Sequence, residues 1–472
     1  MTTDRYDLVV IGGGPAGEKA AVEAAYFGKR VALVDDAADG PGGTAVHTGT
    51  LPSKTLRESA LYLTGFRKRE LSDLLRERVC SEAGSATTLL GRLAAIRRTQ
   101  TAQIDANLAR HGIERITARA SFASATRIDV GGGRMLDTDY ALIATGSSPR
   151  RPSGFDFSDP EVFDSDTLLR LDRVPASLAV IGGGVIGSEY ACVFAALGTK
   201  ITLIESAPRV LGFLDAEISD ALMTAMRSQG IDLRLNDGVE SVERQGPDLV
   251  LTLKSGATER VDRVLVSAGR TGNTAGLNLD AIGVKLDPRG LVVVDERYRS
   301  SCPNISAAGD VIGRPALAST SIEQGRVAVG AMFDLPFPRR NWKDVPAGIY
   351  TIPEACACGP TEEELVASKV PIVIGRSFLR HNARGQIIGD TDGFVKLIFH
   401  RETRALLATH LICERATELI HIGQAVSRLG GGIDYFIETI MTYPSLSEAY
   451  KQAAYDALSQ LDPATRPVTP LP

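Results

Sequence analysis

A short apolar run, Asp7-Leu8-Val9-Val10-Ile11, breaks into Gly12-Gly13-Gly14-Pro15-Ala16-Gly17. The same pattern returns at Ser177-Leu178-Ala179-Val180-Ile181, which breaks into Gly182-Gly183-Gly184-Val185-Ile186-Gly187. Each copy continues as a helical stretch, a break at Gly28 or Gly198, and a second apolar strand, Arg30 to Val34 or Lys200 to Ile204. Strand, glycine turn, helix and strand thus occur twice. Solenoid repeats recur at much shorter periods, so the echo is a duplicated nucleotide-binding module.

Between the copies, Leu89, Leu93, Ile96, Ile104 and Leu108 recur at helical spacing within the charged stretch Leu56 to Gly112, which predicts helices with one buried stripe. Ile116 to Leu136 alternates as strands do, with a Gly131-Gly132-Gly133 turn. Residues 151–175 read as a loop-rich linker, and Val239 to Ser267 as a small antiparallel sheet. From about Val345 the pattern changes. Strands are expected at Phe394–Phe399 and Ala405–Ile412, and helices at Glu414–Leu429 and Leu446–Leu458, which makes a separate α+β domain. Residues 461–472 are rich in proline and are expected to form a disordered tail.

Composition narrows the function. The 52 basic and 57 acidic residues leave a net charge of −5, too balanced to expect a nucleic acid as partner. No apolar stretch is long enough to predict membrane insertion, and nothing near Met1 reads as an address, so a cytoplasmic location is expected. The six cysteines, at 80, 192, 302, 356, 358 and 413, form no Cys-x-x-Cys. Cys356 and Cys358 share one face of a strand and read as a buried pair, and no metal site is expected.

The glycines carry the chemistry. Gly12, Gly14 and Gly17, and again Gly182, Gly184 and Gly187, let backbone approach a pyrophosphate at a helix N-terminus. Asp35 and Glu205, each at the end of the following strand, can accept from ribose hydroxyls. Two dinucleotides on one chain suggest a flavin that stays and a nicotinamide that exchanges. Two more strand-to-turn segments fit this picture: Ala141-Leu142-Ile143-Ala144-Thr145-Gly146, and Asn304-Ile305-Ser306-Ala307-Ala308-Gly309-Asp310.

With these segments in place the chain resembles the FAD-dependent pyridine nucleotide–disulfide oxidoreductase family from Tyr6 to about Leu458. The resemblance implies an α/β fold with two Rossmann-like domains and a C-terminal α+β dimerisation domain. FAD would lie in a discontinuous domain of residues 1–150 and 276–344, NAD(P) in 151–275, and the homodimer interface in 345–460. It also implies that Gly43, Thr44, Lys54, Thr145, Gly146 and Asp310 contact the flavin nucleotide, and that Glu189 and Gly269 contact the nicotinamide nucleotide.

Two departures set the expected chemistry. The family's reductases place two cysteines with four residues between them within Gly42-Gly43-Thr44-Ala45-Val46-His47-Thr48-Gly49-Thr50-Leu51-Pro52-Ser53-Lys54; here those positions are Ala45 and Thr50. Neither side chain forms a thiolate, so a dithiol relay is excluded. Tyr443 stands where those reductases carry an acid–base His, ahead of Glu448. For Tyr443 two readings stand: a catalytic role, or an interface aromatic whose hydroxyl bonds Glu448. Lys54 and Glu189 are kept and, by resemblance, pair beside the flavin and nicotinamide. Tyr190 is either near the nicotinamide or a helix aromatic; His47 lines the flavin pocket or caps a helix; His421 reads as an interface residue. Within the family the sequence is similar to the soluble transhydrogenase subgroup. The expected reaction is therefore hydride exchange between NADPH and NAD⁺ through FAD. A quinone or dye reductase, or a flavin sensor that does not turn over, are the alternatives.

Overall fold

The computed structural model describes residues 3–63, 86–313, 315–336, 342 and 344–461. The first apolar run becomes β1 (Thr3–Ile11), flanked in parallel by β2 (Val31–Asp35) and β6 (Met135–Ile143). Leu8 and Val10 point to one face, among Ala20, Ala24, Leu108 and Val329 of the covering helices. Val9 and Ile11 point to the other, among Phe122, Ile128 and Val292. Burial on both faces is why the strand reads as a continuous apolar run rather than an alternation. β3 (Glu114–Thr117) lies beyond β2, and β5 (Arg127–Asp129) and β4 (Ser121–Ser124) extend the sheet antiparallel beyond β6. Much later in the chain, β17 (Ile305–Ala307) returns to pair in parallel with the end of β6. That return carries Asp310 to the glycine-rich edge of the first sheet.

The second copy builds a sheet of the same kind. β9 (Ser177–Ile181) lies between β10 (Lys200–Glu205) and β15 (Arg263–Val266), with β11 (Asp232–Leu235) and β8 (Val162–Phe163) at the edges. The alternating stretch from Val239 splits. β12 (Val239–Gln245), β13 (Asp248–Leu253) and β14 (Thr258–Val261) form the expected antiparallel sheet. β15 leaves it to join the parallel sheet, since all four of its residues are buried and suit a strand covered on both faces. β7 (Ser147–Pro149) and β16 (Arg270–Gly272) pair as a short ribbon where the chain passes between the two modules.

The third sheet is antiparallel, in the order β18 (Ala347–Ile349), β19 (Glu354–Cys358), β22 (Leu406–Cys413), β21 (Phe394–His400), β20 (Ile372–Phe378). Helices Ala416–Arg428 and Glu448–Ser459 cover it through Ile420, Tyr450 and Ala453. Cys356 and Cys358 are both buried on β19, on one face as expected. Residues 86–110 form one helix whose Leu93 and Leu108 are buried. The expectations for Cys80, the Leu89 side chain, the stretch 64–85 and the tail beyond Leu461 lie outside the described residues. Among the described residues no helix is long and apolar enough to cross a membrane.

A buried ion cluster ties the second module to the third sheet. Lys396 on β21 donates to both oxygens of Asp215 at 2.9 Å and to Glu362 at 2.6 Å. Asp215 caps the helix Ala216–Ser228 by accepting from the Glu217 N–H at 3.1 Å. Burial opposes both charges, but the pairing wins: Asp215 is held below and Lys396 above their ordinary values. Removing one partner strands the other, so Lys396→Met is expected to lower unfolding free energy by about 3–5 kcal/mol, read by chemical denaturation. The Asp215 contribution is complete above its unfolded pKa near ~3.9 and is lost as pH falls through the lower folded value. The Lys396 contribution is complete below ~10.4 and is lost as pH rises through the higher folded value. The deficit of Lys396→Met should therefore be constant around neutrality and shrink in strong acid.

Candidate active site

In both glycine turns the first and third glycines close the structure and the second leaves it open. Gly12 has φ +109°, and a Cβ there would sit 2.3 Å from the Ala144 carbonyl oxygen. A Cβ on Gly17 would fall 1.9 Å from the Gly12 oxygen. The second copy repeats this, with Gly182 at φ +101° and a Gly187 Cβ 1.9 Å from the Gly182 oxygen. By contrast, a Cβ on Gly14 would meet nothing nearer than the Gly43 Cα at 3.8 Å, and one on Gly184 nothing within 4 Å. The open side of the middle glycine is where a phosphate can reach backbone. Helices Pro15–Tyr26 and Val185–Ala196 begin immediately after and aim their free N–H groups there.

The acidic residues do more than wait for a ribose. Asp35 accepts from the Gly13 N–H and, at 2.8 Å, from the Ala37 N–H. Glu205 accepts from the Gly183 N–H at 2.6 Å and the Ala207 N–H at 2.8 Å. Each carboxylate therefore pins the turn that precedes it while keeping lone pairs free for hydroxyl donors. Arg209 lies beyond Glu205 but pairs with Asp220 at 2.8 Å on the surface.

A cleft of about 570 Å³ opens beside the first turn. Gly12, Gly14, Asp35, Gly43, Thr44, Thr145, Gly146 and Asp310 all line it. Asp310 accepts from the Ser147 hydroxyl at 2.8 Å, and Arg270 binds Ser147 through the carbonyl at 2.6 Å and the hydroxyl at 2.8 Å. Ala45 and Thr50 face the same cleft. Cys192, Cys302, Cys356, Cys358 and Cys413 are free and buried elsewhere. Burial pushes the thiols of Cys192 and Cys358 up, to about 12 and about 11, so neither is a thiolate near neutrality.

Lys54 and Glu189 meet across the boundary between modules. The Lys54 ammonium lies 2.8 and 2.7 Å from the two oxygens of Glu189. Glu189 is only 4% exposed and also accepts from Ser53 at 3.1 Å and from the Tyr350 N–H at 3.0 Å. The Lys54 side chain keeps 23% of its exposure, and its nitrogen stands 4.8 Å from the centre of the Tyr350 ring. Ser53 and Tyr350 were not expected from the sequence. Ser53 adjoins Lys54, but nothing in the pattern around Tyr350 announces an N–H aimed at another domain.

The remaining candidates separate. Tyr443 is 71% exposed and no hydrogen bond joins it to Glu448 among the described residues; neither lines the cleft. Glu448 opens the helix Glu448–Ser459, where its charge suits the helix dipole. Tyr190 is a buried helix aromatic whose ring centre lies 6.3 Å from that of Phe194. His47 donates its Nε2–H to the Gly40 carbonyl, 3.0 Å away, and so closes the loop ahead of its own helix. His421 is exposed and bonds Gln424 at 2.9 Å. Gly269, at φ +95°, accepts from the Arg150 N–H at 2.9 Å beside the ribbon between the modules.

Residues 6–325 match the family model for pyridine nucleotide-disulphide oxidoreductases, and residues 345–454 match the model for their dimerisation domain. Soluble pyridine nucleotide transhydrogenase from Pseudomonas putida is 41% identical over 471 residues, which covers 98% of this chain and 100% of the relative. The protein of the same name from Hahella chejuensis is 43% identical over 472 residues, with the same coverage. Among solved structures, the HOCl-induced flavoprotein disulfide reductase RclA from Escherichia coli superposes with a TM-score of 0.87 at 29% identity, over 95% of this chain and 99% of that one. LpdA from Mycobacterium tuberculosis gives 0.85 at 30% identity, over 96% and 99%. With its duplicated glycine turns and its third, antiparallel domain, the chain belongs to the pyridine nucleotide-disulphide oxidoreductase family.

Proposed function

We propose that the protein exchanges hydride between NADPH and NAD⁺ through FAD without a redox disulfide. The observation that carries this reading is a contrast between two positions that line the cleft and an ion pair that begins one turn further along the helix Thr50–Leu63. Ala45 and Thr50 occupy the thiol positions, while the Lys54–Glu189 pair is intact. The open middle glycine of the first turn and the cleft beside it fit a dinucleotide with a long polar linker, and Gly14, Asp35, Thr145 and Asp310 would hold FAD there. The second turn, with Gly184 and Glu205, would hold the nicotinamide nucleotide. Bound FAD supplies a hydride acceptor and donor that no side chain of the protein can replace. Residues 1–150 and 276–344 would then be the FAD domain, and 151–275 the NAD(P) domain.

Lys54 contributes a fixed positive charge in a partly dried site, where negative charge gained during hydride transfer is stabilised most. Glu189 fixes the Lys54 ammonium in place. Among relatives whose names specify transhydrogenation, identity extends over the whole chain, which supports nicotinamide dinucleotides as both donor and acceptor. We read the working form as a cytoplasmic homodimer. Ile440 and Leu429 of the third domain are 93% and 87% exposed, and a second copy would cover such apolar surface. Tyr443 and Glu448 would then contribute at the interface.

The direct test is reduction of thio-NAD⁺ by NADPH with purified FAD-loaded protein, beside lipoamide as acceptor. Steady transhydrogenation with lipoamide inert is expected; lipoamide turnover at an enzymatic rate would sink the reading. Lys54→Met should keep FAD but slow its reduction by NADH roughly 10²–10³-fold in stopped flow. Because Glu205 is already pinned for a free 2′-hydroxyl and Arg209 is held by Asp220, kcat/KM should favour NADH over NADPH. Asp220→Asn frees Arg209 and should raise kcat/KM for NADPH, whereas Arg209→Ala should lower it with NADH little changed.

A further inference from the structure

The turn between β18 and β19 is buried at Thr351, Ile352 and Pro353, yet it belongs to no ladder. Its polar backbone groups must find partners elsewhere, and they find them in different parts of the chain. The Tyr350 N–H donates to Glu189 at 3.0 Å, on the helix Val185–Ala196. The Ile352 carbonyl accepts from Gln229 at 2.5 Å, and the Thr351 carbonyl accepts from Arg57 Nε at 3.0 Å. The Thr351 hydroxyl turns inward to the Pro353 carbonyl at 2.7 Å.

Arg57 is the unusual member. It is 1% exposed and lies three residues beyond Lys54 on the helix Thr50–Leu63, and so on the same face. Its Nη1 reaches Glu354 at 3.1 Å and Glu58 at 2.9 Å. Glu354, the first residue of β19, also accepts from the N–H and hydroxyl of Thr417 at 3.1 and 2.8 Å. One guanidinium thus grips both ends of the Thr351–Glu354 turn. Lysine could not, since the two acceptors need N–H groups diverging from a rigid plane.

We propose that Arg57 is a positioning residue: by clamping the Tyr350–Glu354 turn it keeps the Tyr350 N–H on Glu189, and Glu189 on Lys54. The proposal rests on the reading that the Lys54–Glu189 pair assists hydride transfer. A buried arginine carries a desolvation cost that only close partners offset, and here one of those partners, Thr351, adjoins Tyr350, whose N–H bonds Glu189. If the turn drifts, Glu189 loses its backbone donor and is free to rotate away with the ammonium.

The test uses the FAD-loaded enzyme, NADH and stopped-flow flavin absorbance, with amide exchange of the peptide containing Tyr350 as a second readout. Arg57→Met should bind FAD normally and lower the limiting reduction rate about 10- to 100-fold, as misplacement on the 1 Å scale does, with NADH affinity nearly unchanged. The Tyr350 peptide should exchange faster, and Arg57→Lys should recover part of the rate. In a Glu189→Gln background, Arg57→Met should slow reduction no further, because both act through one contact. The charge-neutral pair Arg57→Met/Glu354→Gln carries the same readouts if the single variant folds poorly. An unchanged limiting rate in folded Arg57→Met, or an equal loss on top of Glu189→Gln, would overturn the clamp. A wild-type rate in Glu189→Gln alone would instead refute the role of the ion pair itself, and the clamp with it.

Discussion

A carboxylate that is 4% exposed must be paired, and Glu189 is the charge around which the structure is arranged. Its partners come from two places: Lys54 and Ser53 from the helix after the first module, and the Tyr350 N–H from the edge of the third sheet. Glu189 itself stands one turn past the second glycine turn. Satisfying this one group therefore fixes how three separately folded parts of the chain meet. The same demand explains why an irregular, buried turn is tolerated at Tyr350–Pro353. Its backbone groups bond the neighbouring domains rather than a strand.

The duplication shows how one local geometry serves two purposes. In each module the third glycine rests against the first, and a carboxylate holds the N–H of the glycine between the first and the middle one. The cores differ beyond that point. The first sheet gains β17 from late in the chain, which brings Asp310 and its Ser147–Arg270 relay to the cleft. The second sheet gains β8 and β15 instead. A ligand at the first turn would be enclosed by several segments from distant parts of the chain.

Buried charge also joins the outer parts. The Lys396–Asp215–Glu362 cluster locks the second module to the third sheet. With Arg57 and Glu354 it makes the third domain, which matches a dimerisation-domain model, a structural brace for both modules. Leu429 and Ile440 of that domain are left almost fully exposed within the described chain.

The amino-acid sequence by itself determined everything that depends on residues close in the chain. Strands buried on both faces read as apolar runs, turns that need a missing Cβ read as glycines, and, at the positions the family resemblance marks for thiols, Ala45 and Thr50 show their loss. The pairing of Lys54 with Glu189 was reached through resemblance, not through any local pattern. Only the tertiary structure decided what depends on distant contacts. β15 looked like the last strand of an antiparallel sheet, but burial on both faces carried it into a parallel one. Tyr190, open to two readings, lies in the core beside Phe194, and Arg209 lies on Asp220. Arg57, Glu354 and the Tyr350 N–H gave no signal, because a buried ion pair or a backbone donor is defined by its partners. Those partners lie 294 residues away for Arg57 and Thr351 and 161 for Tyr350 and Glu189, and are adjacent only once all three domains have folded together.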